Sequence, residues 1–235
     1  MTKDRKIHKI KFSNAQGESI SGILRENDAA KPLFIICHGY GGSMDEPVIK
    51  KVSELLYKHG HTTFIFNFSE SAQKEALQEQ VSDIETISKY FKEYKKIILL
   101  GISFGALSTS IATKKSNKVK GLITVNGFFG TPHLNRSGLK TYLLFRFASL
   151  ISSKHKKIWR YMRDNYQPAS IKVPVLVIHS QTDKDVSIKQ SQSFYQLIKN
   201  KKEFHTLKNA DHSLTMNGNS EEVVEAINKW LKRIY

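Results

Sequence analysis

The sequence is poor in cysteine, in acidic residues and in long apolar runs. One cysteine, Cys37, stands among 235 residues. That excludes an intramolecular disulfide framework and any multi-cysteine zinc site, and it suits a reducing compartment. The longest apolar stretch, around Tyr142 to Ile151, is roughly half of the ~20 residues that a membrane-spanning helix requires, and Arg146 interrupts it. Met1 to Ile10 is charged and holds no apolar core of the kind a secretory signal needs. A soluble cytoplasmic protein is therefore expected. Acids are scarce: 21 Asp and Glu face 37 Lys and Arg, a net charge of +16. Such a field attracts nucleic acid, anionic membrane surfaces or acidic substrates and says nothing about fold. No nucleic-acid motif accompanies the charge, so nucleic acid is not expected as a partner.

What is present is ordinary for a globular chain: 40% hydrophobic and 25% charged residues, which excludes disorder, collagen and coiled coil. The length fits one domain, residues 1–235, large enough to bury a core without metal or disulfide staples. Ile7 to Phe12 and Ser19 to Arg25 flank the polar turn Asn14-Ala15-Gln16-Gly17 and predict an N-terminal hairpin. Leu33 to Cys37 is a continuous apolar run, as in a strand buried on both faces. Thr62 to Phe66, Ile97 to Leu100, Leu122 to Val125 and Val175 to Ile178 repeat it, with Phe204 to Leu207 weaker. Helical stripes separate them, over Val48 to His59, Gln80 to Tyr94, Ser187 to Lys199 and Glu221 to Leu231. This alternation predicts an α/β fold, a mostly parallel central sheet with helices on both faces.

One segment breaks the rhythm. No strand pattern occurs between Val125 and Val173, and an insertion this long in a compact α/β domain is usually functional. A helical lid over about 127–168 is expected. Its residues 136–164 carry eight cations and one acid, a net +7.

Gly101-Ile102-Ser103-Phe104-Gly105 matches G-x-S-x-G. By composition the string turns up in about one random chain in ten of this length, so its setting carries the argument. It follows a buried strand pattern and precedes a helix-compatible run, Ala106 to Lys114, the strand–turn–helix context of a nucleophile elbow. Glycine at 101 and 105 removes Cβ atoms that would collide with neighbouring elements, and Ser103 would project from the C-terminal edge of the sheet. The competing reading is a plain strand-to-helix turn. His38-Gly39-Tyr40-Gly41-Gly42 follows another strand pattern; its turn can aim the Tyr40 N–H at Ser103, with the Phe104 N–H as second oxyanion donor. His38 is expected to shape that loop by hydrogen bonding rather than to do acid–base work.

A serine needs a base, and the base needs an acid to hold its tautomer. The loop after Val175 to Ile178 offers Asp183, with Asp185 in reserve; Ala210-Asp211-His212-Ser213 offers His212 as base, with Asp211 a weaker acid candidate. His205 reads as a packed or surface side chain, and His8, His59, His61, His133 and His155 are expected to face solvent.

The order Ser103, Asp183, His212 is that of α/β-hydrolases. From Lys31 to the C-terminus the chain resembles that superfamily, close to small bacterial carboxylesterases and monoacylglycerol-lipase-like enzymes. The resemblance rests on the HGYGG turn, the GISFG elbow, the HSQTDKDVS acid loop and the ADHS base loop. The family pattern HGxxDxxVP matches at His179, Asp183 and Val186, which favours Asp183 over Asp185; Ser180 and Ser187 stand where glycine and proline are usual. Phe66 to Ser71 lacks the glycines and arginine of the family's D-x-R-G-x-G-x-S loop. The resemblance implies a serine esterase acting through an acyl-enzyme, with no metal or organic cofactor. Its expected partner is a small acyl ester, with Leu143, Leu144, Phe145, Phe147 and Trp159 as candidate acyl-pocket residues. The basic lid adds a candidate contact with anionic lipid. A peptidase or amidase using the same triad, and a non-catalytic binding protein on the same fold, are the alternatives.

Overall fold

The computed structural model describes residues 6–27, 31–75, 77–130, 152–216 and 218–235. Eight strands form one sheet: β1 (Lys6–Ser13), β2 (Ser19–Glu26), β3 (Leu33–Cys37), β4 (Thr62–Asn67), β5 (Ile97–Ile102), β6 (Val119–Val125), β7 (Val175–Ser180) and β8 (Lys202–Leu207). Their spatial order is β1-β2-β4-β3-β5-β6-β7-β8. The β1–β2 and β2–β4 pairings are antiparallel and the rest parallel. The predicted hairpin thus joins the parallel sheet through β4.

Seven helices are described: α1 (Pro47–Lys58), α2 (Glu70–Glu75), α3 (Leu77–Tyr90), α4 (Phe104–Ala112), α5 (Ser153–Asn165), α6 (Ile188–Leu197) and α7 (Asn219–Ile234). Side chains alternate across the sheet, so each parallel strand feeds two core layers. Leu33, Ile35, Leu99, Leu122 and Val177 pack with α3 and α4, whereas Phe34, Ile36, Leu100, Ile123 and Ile178 pack with α1 and α7. That double burial is why these strands read as unbroken apolar runs. The weak sixth run forms β8, at the sheet edge, and most of its side chains are only half-buried.

From β3 the chain crosses to β4 on one side and returns to β5 on the other. The sheet therefore has its switch point between β3 and β5, and the crevice beyond their C-terminal ends is where open α/β sheets bind ligands. The HGYGG turn and Ser103 both leave the sheet there. The α3 helix spans Leu77–Tyr90 rather than Gln80 to Tyr94. Beyond Tyr90 a turn closed by the Tyr94 N–H on the Phe91 carbonyl (3.2 Å) still buries both aromatic rings, which prolonged the apolar pattern past the helix. Within the expected lid, residues 127–130 are a buried segment without regular secondary structure, and α5 spans Ser153–Asn165. No helix among the described residues is long and apolar enough to cross a membrane.

Candidate active site

Ser103 is the cap between β5 and α4, and its backbone has φ 54° and ψ −122°. An L-residue rarely takes such a conformation, so surrounding contacts must hold it there. Ser103 donates its N–H to the Val125 carbonyl (3.0 Å), and its own carbonyl accepts from the N–H groups of Ala106 (3.1 Å) and Phe128 (3.0 Å). The elbow also needs space. A Cβ on Gly101 would lie 2.3 Å from the Gly105 carbonyl oxygen, and one on Gly105 would lie 2.5 Å from that of His38. Both glycines are thus required by close backbone approach.

The turn after β3 runs beside the serine: a Cβ on Gly39 would stand 3.2 Å from Ser103 Cβ. The buried His38 ring donates its Nδ1–H to the Gly39 carbonyl at 2.9 Å, and Asn67 Oδ1 accepts the Met44 N–H at 2.8 Å. His38 therefore shapes the loop, and burial pushes its pKa down. The Tyr40 ring meets Phe104 edge-on at 5.5 Å and lies 6.5 Å from His155 on α5. Phe104 in turn stacks on Phe128 at 6.1 Å. The Phe104 N–H opens α4, where a helix has no internal acceptor for it.

Three side chains from three separate loops meet at this point. His212 Nδ1 lies 2.7 Å from Asp183 Oδ2, and its Nε2 lies 2.9 Å from Ser103 Oγ. An ionised carboxylate can only accept, so Nδ1 carries the hydrogen and Nε2 presents its lone pair to the Ser103 hydroxyl. Asp183 is fully buried in its side chain. Burial alone would raise its pKa, but hydrogen bonds from His179, His212 and the Val186 N–H outweigh it and hold the carboxyl well below the usual carboxylate range. Burial likewise disfavours the charged form of His212; the hydrogen bond and charge of Asp183, with Asp185 and Asp211 nearby, reverse that and raise its pKa.

The other acids take different parts. Asp185 is exposed and gives its backbone N–H to Asp183 Oδ1 at 2.9 Å. Asp211 turns to Thr215, whose N–H reaches Oδ1 at 2.7 Å, and so closes the base loop. Donor atoms of Asp183, Asp185 and His212 lie within 4.8 Å of one another, spacing a metal ion would accept. The Asp183 oxygens and both His212 nitrogens are already spent on hydrogen bonds, so the cluster is poorly suited to a cation.

Among the other histidines, His205 is a half-exposed partner of Glu222 at 3.2 Å, as expected of a surface side chain. His61 departs from the solvent-facing expectation: its ring packs on Phe34, its Nε2 lies 2.8 Å from Asn228 Oδ1, and burial lowers its pKa. His155 is half-buried beside the Tyr40 ring, its Nδ1 3.0 Å from Ser152 Oγ. His133, Leu143, Leu144, Phe145 and Phe147 lie outside the described residues. Trp159 is half-buried against the core, and a Cβ on Gly130 would stand 3.6 Å from its ring.

Two further residues complete the surroundings: His179, which the acid-loop pattern matches without giving it a role, and Asn126, which no motif marks. His179 is buried beneath the acid loop, with Nε2 3.0 Å from the Val186 carbonyl and Nδ1 2.7 Å from Ser191 Oγ. Asn126, at the end of β6, contacts both the acid strand and the base loop. The only local sign of the latter is a polar residue, followed by glycine, closing an apolar strand.

A sequence profile of the prolyl oligopeptidase family matches residues 59–235. No curated protein matches the sequence. Among solved structures, the Pyrococcus furiosus esterase Pf2001 superposes with a TM-score of 0.75 at 23% identity, over 97% of this chain and 93% of its own. Est1E from Butyrivibrio proteoclasticus gives 0.73 at 20% identity, over 96% and 98%. Mouse alpha/beta hydrolase domain-containing protein 10 gives 0.75 at 16% identity, over 97% and 100%. At these identities the likeness carries the fold.

Proposed function

Since the chain belongs to the prolyl oligopeptidase family and is an α/β-hydrolase serine hydrolase, we propose that Ser103, His212 and Asp183 are its catalytic triad and that it cleaves carboxylic esters of hydrophobic acyl groups. The observation that carries this reading is the unbroken hydrogen-bonded line from Asp183 Oδ2 through His212 to Ser103 Oγ, with steps of 2.7 and 2.9 Å.

His212 Nε2 takes the Ser103 proton as Oγ attacks the ester carbonyl carbon, and Asp183 stabilises the resulting imidazolium. The N–H groups of Tyr40 and Phe104 hold the oxyanion, each donor worth about 2.7–4 kcal/mol in comparable sites. The tetrahedral adduct collapses with cleavage of the C–O bond to the alcohol, and His212 returns the proton to the departing alkoxide. Water then attacks the acyl-serine, gives its proton to His212, and the acid leaves as Ser103 recovers its hydrogen. The rings of Tyr40, Phe104 and Phe128 around the serine favour an apolar acyl group.

The family profile favours a second reading, amide or peptide hydrolysis by the same residues. Matched p-nitrophenyl esters and p-nitroanilides decide between them by their kcat/KM ratio. Activity towards p-nitrophenyl acyl esters is expected to vanish in Ser103→Ala while the fold survives; hydrolysis persisting in that variant removes Ser103 from the assignment. The exposed cations of α5, Lys156, Lys157, Arg160 and Arg163, support peripheral contact with anionic lipid near the mouth. Binding to anionic vesicles that weakens with salt tests it.

A further inference from the structure

Asn126 is completely buried and has φ 46°, one of the few non-glycine residues of the described chain in the left-handed region. Asparagine tolerates that conformation better than most residues, but its single side chain must still justify the position. Every polar atom of that side chain is engaged. Its Oδ1 accepts the Ser180 N–H at 3.0 Å, and its Nδ2 donates to the carbonyls of His212 at 2.9 Å and Asp211 at 3.3 Å. The reverse amide orientation would set an oxygen against two carbonyls and an NH2 against an N–H, so the network fixes the assignment.

The neighbours of Asn126 hold the other half of the site. The Val125 carbonyl accepts the Ser103 N–H and the Phe128 N–H reaches the Ser103 carbonyl, both at 3.0 Å. Residues 125–128 therefore grip the backbone of the elbow, while the Asn126 side chain grips the backbone of the base itself. The backbone N–H of Asn126 also donates to Ile178 at 3.0 Å, tying this grip to the acid strand. Ser103 and His212 are far apart in sequence, and this strand end is a common anchor for both.

We propose that Asn126 is a positioning residue that sets the Ser103–His212 hydrogen bond by fastening the base loop to the strand end that carries the elbow. The proposal rests on the triad reading above. An error of about 1 Å in such an alignment costs on the order of a hundredfold in rate.

The test uses Asn126→Gly and Asn126→Asp in the full chain. Glycine accepts the positive φ without strain and deletes only the side-chain bonds. Aspartate keeps an acceptor for Ser180 but turns an oxygen towards the two carbonyls. Both are expected to lower kcat and the rate of fluorophosphonate labelling by about a hundredfold, with KM within about twofold and thermal unfolding of Asn126→Gly still cooperative. A second readout is independent of turnover: the low-field proton resonance of His212 Nδ1–H, assigned by its loss in His212→Ala, should broaden or shift in Asn126→Gly. Wild-type rates in Asn126→Gly, or an unchanged resonance in that variant, overturn the positioning role. A wild-type protein that neither hydrolyses esters or amides nor labels at Ser103 overturns the triad reading instead, and the resonance then still decides whether Asn126 places the His212 ring.

Discussion

The Nε2 atom of His179 stands 3.4 Å from Asp183 Oδ2, the same oxygen that takes the Nδ1–H of His212 at 2.7 Å. Val186 O and the carboxylate are both acceptors, so His179 Nε2 must carry its hydrogen. A second buried imidazole thus steadies the acid from within the protein. His179→Leu leaves Val186 O and Ser191 Oγ without their partner, which costs about 1–3 kcal/mol of stability. It also removes one hold on Asp183, and about 1.4 kcal/mol of lost orientation corresponds to a tenfold fall in kcat. His179→Gln, which keeps a donor, should retain most of both. Equal kcat in wild type and His179→Leu would show that the acid is oriented without it.

Asp183 and Asp185 make a contrasting pair. Only Asp183 reaches the imidazole, and its loss frees the His212 tautomer. Asp183→Asn is expected to lower kcat by about ten-thousandfold, the scale seen when a triad acid is amidated. Asp185→Asn keeps the backbone N–H on Asp183 Oδ1 and is expected to stay within about threefold of wild type, since it touches neither His212 nor Ser103. Steady-state kinetics on one ester substrate separates the two.

The charge environment of His212 fixes the direction of the pH profile. As the proposed base, His212 must be neutral to accept a proton, and its pKa is raised above the ordinary value of 6.5. Rate should therefore climb with pH through a midpoint above that of a free histidine. Asp185 contributes to the rise through its charge, so Asp185→Asn should move the acid limb of kcat/KM to lower pH. The sign for stability is opposite: protonated His212 favours the folded state, and this contribution fades as pH increases through the raised pKa. A limb that stays in place in Asp185→Asn would remove that aspartate as a cause.

Much of this was legible from the chain, and the exceptions share one cause. Ser103 stood out because its glycines flank a buried run, and the close approaches of Gly101 and Gly105 are local consequences of the elbow. Parallel strands buried on both faces announce themselves as apolar runs; β8, half-buried at the edge, does so faintly. Asp183 and His212 could be proposed from their loops and from family resemblance. Asn126 could not, since its contacts are with backbone groups brought close only by the folded sheet; His179 matches the acid-loop pattern, but its contacts with Val186 and Ser191 do not follow from that match. His61 departs from its solvent-facing expectation for a like reason, because its burial comes from Phe34 and from Asn228 on the last helix.

The elbow glycine Gly105 offers a sharp test of close packing as opposed to backbone freedom. Its φ is not in the left-handed region, so an alanine there meets no torsional objection. The obstacle is purely spatial: the new Cβ would stand 2.5 Å from the His38 carbonyl oxygen and 2.6 Å from that of Cys37, both on the chain that leads into the Tyr40 turn. Backbone cannot swing aside as a flexible side chain can. Overpacking of this kind costs about 1–3 kcal/mol, which in a chain of this size lowers Tm by roughly 2–12 °C. Gly105→Ala should therefore melt early, and its rate on p-nitrophenyl esters should fall as the turn after β3 is displaced. Gly17→Asn is the control: Gly17 has φ +79° with nothing within 4 Å of a Cβ, and asparagine accepts that conformation. Its melting temperature and kcat should match the wild type. If Gly105→Ala melts with the wild type as well, close approach to β3 is not what demands glycine at the elbow.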